Sequence, residues 1–272
     1  MHSADIAVED LAQPMPTRND ILFVRSLRDR NTRISERKFV VEGHKCVAEA
    51  LRSGWPVMGL YATQDSACPE DWGAATASTK DMERMSGFKK APGVLAVMEM
   101  PDPETPSAQD WATEAAVPFG LAVDGLSDPG NLGTLLRTAD WLGIQGVWAS
   151  GRVVDAFNSK AVQASMGAVF RVPVWRCDLP ATLTSLASAG ARVMGMDMEG
   201  EDVWAMDGEP TCAAPWVAVL GSESHGLSTE VAAACTGRIH IPGKGGSESL
   251  NATMAAGMVL SEWGARVHRG SN

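Results

Sequence analysis

The sequence has no paired cysteine motif, no long apolar run and no histidine cluster, and each absence narrows what it can do. Its five cysteines, Cys46, Cys68, Cys177, Cys212 and Cys235, are odd in number, scattered, and never form C-x-x-C. That argues against a disulfide framework or a zinc cluster and for a reducing, cytoplasmic setting. No stretch reaches the roughly 18–20 apolar residues that cross a bilayer, so no membrane partner is expected. The opening MHSADIAVEDLAQPMP lacks a basic region followed by an apolar one, and residues 1–17 read as a disordered lead. The five histidines lack metal-ligand spacing, and no metal is expected.

Several catalytic motifs are missing too. No G-x-G-x-x-G follows a strand, and Gly237 to Lys244 has one residue too many between its glycines for a phosphate loop. Gly221-Ser222-Glu223-Ser224-His225-Gly226 is not G-x-S-x-G, and serine and histidine so close in sequence seldom aim at one another in a triad.

The net charge of −10 speaks against nucleic acid until its distribution is read. Residues 18–45 carry eight Lys/Arg against four Asp/Glu, while 99–114 and 197–209 carry five and six acids with no base. A basic face therefore survives on an acidic protein, although charge alone fits a solvated helix equally well. Its members include Arg25, Arg28, Arg33, Lys38 and Lys45.

The apolar pattern alternates strand and helix twice. Over 18–99 a helix at 18–35, capped by Asn19 or Asp20, precedes strands at 38–41, 57–62 and 94–98 and helices at 43–51 and 79–88, a small α/β unit. Residues 100–116, with three prolines and no apolar period, read as a linker. From 117 to 272 the alternation restarts, predicting a mainly parallel sheet with helices on both faces. Ligands of such sheets sit at the carboxyl ends of strands. The loops there, 124–131, 221–227 and 242–249, are rich in Gly, Ser, Asp and Asn. Asn131 stands at a helix start, where capping is its ordinary role. Arg137 stands on the polar side of the same helix. Ser249 and Asn251 stand at another helix start, opened by Ser247 or Ser249.

In chain order the three loops carry N-L-G-x-L-L-R-T-A from Asn131, L-G-S-E-x-x-G-L from Leu220, and I-P-x-x-G-x-x-x-S-L-N-x-x-x-A from Ile241. This set resembles the three motifs of the SpoU/TrmH family of RNA ribose 2'-O-methyltransferases, in the SPOUT superfamily. The stretches F-V-V-E-G-x-K-x-V-x-E-A-L from Phe39 and G-V-L-A-V from Gly93 resemble the ribosomal-protein-like RNA-binding domain that many members carry. The resemblance implies a C-terminal trefoil knot, a homodimer formed through that domain, and structured RNA as substrate, ribosomal RNA rather than transfer RNA. It implies that Gly221, Ile241, Pro242, Ser249 and Leu250 hold S-adenosylmethionine. It further implies that Arg137, Asn131, Glu223, Ser249 and Asn251 are the functional polar positions, with Arg137 central as base or phosphate clamp. Where the family often has arginine, this chain has Gln163, with Lys160 and Arg171 nearby. The other reading is a non-catalytic RNA-binding protein of the same fold.

Overall fold

The computed structural model describes residues 15–208, 210–246 and 249–270. Residues 1–14 of the lead expected over 1–17, and Ser247, lie outside the described residues. The chain forms two compact units, one of residues 1–101 with 157–170 and the other of 102–156 with 171–272.

In the first unit Thr17, two residues ahead of the nearer expected cap, Asn19, opens α1 (Arg18–Ser26), and Asp20 is its reciprocal partner. The predicted helix over 18–35 is broken. Asp29 caps a second helix, α2 (Arg30–Glu36), by accepting from the Thr32 N–H at 3.0 Å. Strand β1 (Lys38–Glu42), α3 (His44–Arg52), β2 (Val57–Ala62), a two-residue β3 (Ala75–Thr76), α4 (Thr79–Met85) and β4 (Val94–Glu99) follow. The sheet order is β1-β4-β2-β3, with β4 antiparallel to both neighbours. Alternation along β1 separates two layers. Val40 packs with Ile21, Val24, Leu27 and Met82, while Phe39 meets Phe157 at 4.7 Å between ring centres. Phe170 closes on Trp55 at 5.3 Å. These aromatic contacts bring 157–170, with α7 (Ser159–Ser165), into the first unit although the sequence places it among the strands of the second.

The second unit begins inside the stretch read as a linker. Ser107 caps α5 (Ala108–Glu114), whose Trp111 is 5% exposed. Then come β5 (Phe119–Val123), α6 (Pro129–Trp141), β6 (Val147–Ala149), β7 (Val174–Arg176), α8 (Leu179–Ser188), β8 (Arg192–Asp202), β9 (Trp216–Leu220), α9 (Thr229–Ala234), β10 (Gly237–His240) and α10 (Ala252–Gly270). All neighbouring strands are parallel, in the order β10-β8-β9-β5-β6-β7. Val217 and Val219 pack with Trp111, Trp148 and Leu183 on one face, and Trp216 meets Trp263 of α10 edge-on at 5.2 Å on the other. Gly146 is required by this packing, because a Cβ there would lie 2.3 Å from the Trp175 ring. Strand β8 runs on through half of the acidic stretch expected to be loop, and after a register shift Glu201 and Asp202 pair with Ile239 and His240.

Candidate active site

A parallel sheet delivers the carboxyl ends of its strands to one edge. Here the segments after β5, β9 and β10 meet there through side chains. Asp128 caps α6, its Oδ1 accepting from the Asn131 N–H at 2.7 Å. The cap being taken, the Asn131 side chain is free to bridge. Its Nδ2 donates to Glu223 Oε1 at 2.9 Å, and its Oδ1 accepts from Asn251 Nδ2 at 3.3 Å. Asn251 also opens α10, its Oδ1 accepting from the N–H groups of Thr253 at 3.0 Å and Met254 at 3.3 Å. The helix therefore starts later than Ser247 or Ser249.

The loop that carries Glu223 is closed on itself. Ser222 and Gly226 exchange backbone hydrogen bonds of 2.9 and 3.0 Å. A Cβ on Gly221 would lie 2.2 Å from the Gly226 carbonyl carbon, so no other residue fits without moving backbone. The far end of the loop is tied to Asp124, which is 1% exposed and which the sequence reading passed over. Its Oδ2 accepts from Ser228 N–H at 2.9 Å and Ser228 Oγ at 2.7 Å, and its Oδ1 pairs with Arg152 at 2.7 Å. Burial alone would raise this carboxyl, but the hydrogen bonds from Ser228 and Arg152 outweigh it and hold the group below the ordinary carboxylate range. The one signal in the sequence was an acid ending a buried strand just before glycine.

The remaining expected residues fall into three groups. Ile241 and Pro242 are half-buried on the segment after β10, and Leu250 and Ser249 are exposed beside Asn251. Arg137 is exposed on α6 with no partner among the described residues; six positions beyond Asn131, it projects roughly 120° away around the helix axis. The structure does not join it to the Asn131 bridge. His225 Nδ1 lies 2.7 Å from Ser224 Oγ, yet no carboxylate contacts the ring among the described residues, so no triad forms.

In the first unit the basic residues divide. Arg33 is corrected from an RNA contact to an internal brace: it is 3% exposed, and its Nη1 donates to the carbonyls of Leu27 and Arg28 at 2.8 Å each. Arg28 donates to the carbonyls of Arg84 and Ser86. Lys38 lies 5.4 Å over the Phe23 ring. Arg25 and Lys45 are exposed without partners among the described residues. Of the two cations near Gln163, Arg171 in the second unit is held by Asp140 at 2.8 Å and Lys160 is exposed.

Comparison with known proteins bears on both units. Residues 118–261, from β5 into α10 and including all three loops, match the SpoU rRNA Methylase family. The chain belongs to this family. Residues 18–96 of this SpoU methylase match the MRM3-like substrate binding domain. It is 34% identical to an uncharacterized tRNA/rRNA methyltransferase of Mycolicibacterium vanbaalenii, over 82% of this chain and 75% of that one. It is 27% identical to the Bacillus subtilis 23S rRNA (guanosine(2553)-2'-O)-methyltransferase RlmP, over 87% of this chain and 92% of that one. The AdoMet-bound rRNA methyltransferase of Sinorhizobium meliloti superposes with a TM-score of 0.79 at 26% identity, covering 95% of this chain and 99% of that one.

Proposed function

We propose that this SpoU methylase transfers a methyl group to the ribose 2'-hydroxyl of a nucleotide in structured RNA, with S-adenosylmethionine as cofactor. The observation that carries this reading is the hydrogen-bonded bridge Asn251–Asn131–Glu223, which joins all three family loops at the carboxyl edge of the sheet. The residues fit the cofactor. Ile241, Pro242 and Leu250 offer apolar surface for a purine, and Gly226, in the turn that Gly221 opens, has open space where a side chain would stand. Ser249 stands beside them as the polar contact.

S-adenosylmethionine, when bound, supplies an electrophilic methyl group on a sulfonium. The protein's own task is to hold a weak nucleophile in line with it. Arg137 is free to clamp the phosphate beside the target ribose and steer its hydroxyl; its guanidinium offers donors and no acceptor, which favours clamp over base. Glu223 is held in one orientation by Asn131, and Asn251 fixes Asn131 in turn. Arg25, Lys45, Lys38 and Arg28 give the first unit phosphate contacts that position RNA without reading its sequence.

Ribosomal RNA is the favoured substrate, in keeping with the relative named for 23S rRNA and with the separate substrate-binding domain. A homodimer is supported by exposed apolar side chains on two adjoining helices, Trp141 (89% exposed) on α6 and Met254 (61%) and Met258 on α10. We further assign the chain after β9 a trefoil knot, a reading supported by the family resemblance and by the meeting of the 221–228 and 241–251 segments at Asn131. Five free cysteines suit a cytoplasmic enzyme. No helix among the described residues is long and apolar enough to cross a membrane.

The test is methyl transfer from labelled S-adenosylmethionine to RNA from cells lacking the gene, followed by mapping of ribose methylation. One new 2'-O-methyl position in ribosomal RNA is expected. Cofactor binding without any methylated RNA would instead identify a non-catalytic RNA-binding protein. Arg137→Lys retaining most activity at every pH, with Arg137→Ala inactive, is the outcome for a clamp.

A further inference from the structure

The loop after β6 reads Ser150-Gly151-Arg152-Val153-Val154 and carries none of the family motif positions. It is nevertheless stitched to the site on both sides of Arg152. Ser150 N–H donates to the Val123 carbonyl at 3.0 Å, and Val154 N–H donates to the Leu126 carbonyl at 2.8 Å. Between these anchors Arg152 Nη2 pairs with Asp124 Oδ1 at 2.7 Å, across a sharp difference in exposure: the arginine side chain is 64% exposed and the aspartate 1%. Asp124 cannot move, because its other oxygen is held twice by Ser228. It therefore aims the guanidinium in one direction. Only one of the three guanidinium nitrogens is used among the described residues, which leaves donors for a ligand on a mostly exposed side chain.

The direction matters. A Cβ built on Gly125 would lie 4.0 Å from both Cζ and Nε of Arg152 and 3.6 Å from the Ser222 Cβ. The guanidinium thus lies beside the closed turn that presents Glu223. An ion pair whose cation is mostly in water adds little stability beyond the hydrogen bonds that Ser228 already gives Asp124, so steadying the fold is a weak reason for an arginine here. A planar fork with free donors, fixed at the rim of a site, suits a phosphate group.

We infer that Arg152 is an RNA-binding residue of the catalytic unit, contacting a backbone phosphate near the target nucleotide, and that Asp124 is the positioning residue that orients it. The inference rests on the proposal that structured RNA is the substrate.

Salt dependence separates this role from a structural one. Binding of a ribosomal RNA transcript is measured over a range of salt for the full-length wild type, Arg152→Ala, Arg152→Gln and Arg152→Lys. Affinity for S-adenosylmethionine and thermal melting are measured alongside. Loss of one phosphate contact lowers the slope of log affinity against log salt by about one, and we expect a roughly tenfold loss of RNA affinity near physiological salt. Arg152→Gln leaves Asp124 a neutral donor, so it removes the charge while keeping the fold, and it should show the same slope change. Arg152→Lys should keep the slope and lose part of the affinity. Folded Arg152→Gln with the wild-type slope overturns the inference. A wild type that neither binds nor methylates the RNA overturns the underlying functional reading instead.

Discussion

Replacing Asp124 with alanine isolates the tie between β5 and the loop that carries Glu223. The carboxylate receives two hydrogen bonds from Ser228, at 2.9 and 2.7 Å, in a position 1% exposed. Hydrogen bonds to a charged group contribute about 1.5–3 kcal/mol each. The Arg152 pair is discounted because its cation is mostly in water. The expected loss is about 3–5 kcal/mol, which for a chain of this size is a melting temperature lower by about 6–15 °C. Asp124→Asn keeps the shape and one acceptor and should lose about 1–2 kcal/mol. Urea unfolding followed by tryptophan fluorescence reports on this unit directly, since Trp148, Trp216 and Trp263 are all buried within it. The pH dependence has a definite sign. The folded carboxyl titrates below its ordinary value of 3.8, so its contribution is complete above that value and fades as pH falls through the lower folded one. The stability gap between wild type and Asp124→Asn should be flat from neutral pH to about 4 and shrink below. An Asp124→Ala protein within about 1 kcal/mol of wild type would refute the tie.

Other substitutions separate fold from chemistry. Gly221→Ala forces a methyl group to 2.2 Å from the Gly226 carbonyl carbon, and calorimetry should show S-adenosylmethionine affinity reduced at least about tenfold with secondary structure intact. Arg33→Met strands one buried and one half-buried carbonyl and should cost about 2–4 kcal/mol, leaving the salt slope of RNA binding unchanged for the folded protein; Arg25→Ala should do the reverse. Glu42, raised by burial despite hydrogen bonds from Ser86 and the Gly87 N–H, keeps its proton to higher pH when folded than when unfolded. Wild-type stability should therefore fall relative to Glu42→Gln as pH rises from about 4.5 through the raised value, and parallel melting curves over that range would exclude the effect. Asn251→Asp preserves the cap on α10 but turns the group facing Asn131 Oδ1 from donor to acceptor, so methyl transfer should drop about tenfold or more while melting changes little.

Periodicity placed strands at 38–41, 57–62 and 94–98, within a residue of β1, β2 and β4, because short buried strands are apolar runs bounded by polar turns. It missed what depends on contacts distant in sequence. The helix in the proline-rich stretch is held by Trp111 against Trp148, 4.9 Å away between ring centres, and nothing within 100–116 announces that partner. The placement of 157–170 likewise depends on Phe157 and Phe170 finding Phe39 and Trp55 rather than the sheet on either side of them in sequence. Basic character was visible over 18–45, but whether a given arginine meets solvent or a carbonyl was not, and Arg33 looks no different in sequence from Arg25.

At the site the sequence left two roles open for the asparagines, helix cap or functional group, and the structure shows Asn251 capping and Asn131 not. Asn131 lies three positions beyond the true cap, Asp128, so its amide is free to use both ends, one toward Glu223 and one toward Asn251. Asn251 does both tasks at once, its oxygen capping α10 while its nitrogen donates to Asn131. An aspartate could cap as well, and a serine could cap with one atom, but neither supplies a donor and an acceptor at separate ends of one rigid plane. The segments carrying Glu223 and Asn251, 92 and 120 residues beyond Asn131, are thereby held with it in one geometry. The same economy explains Asp124. A carboxylate that first closes the end of the Glu223 loop through Ser228 has one oxygen left, and that oxygen fixes the direction of the exposed guanidinium of Arg152.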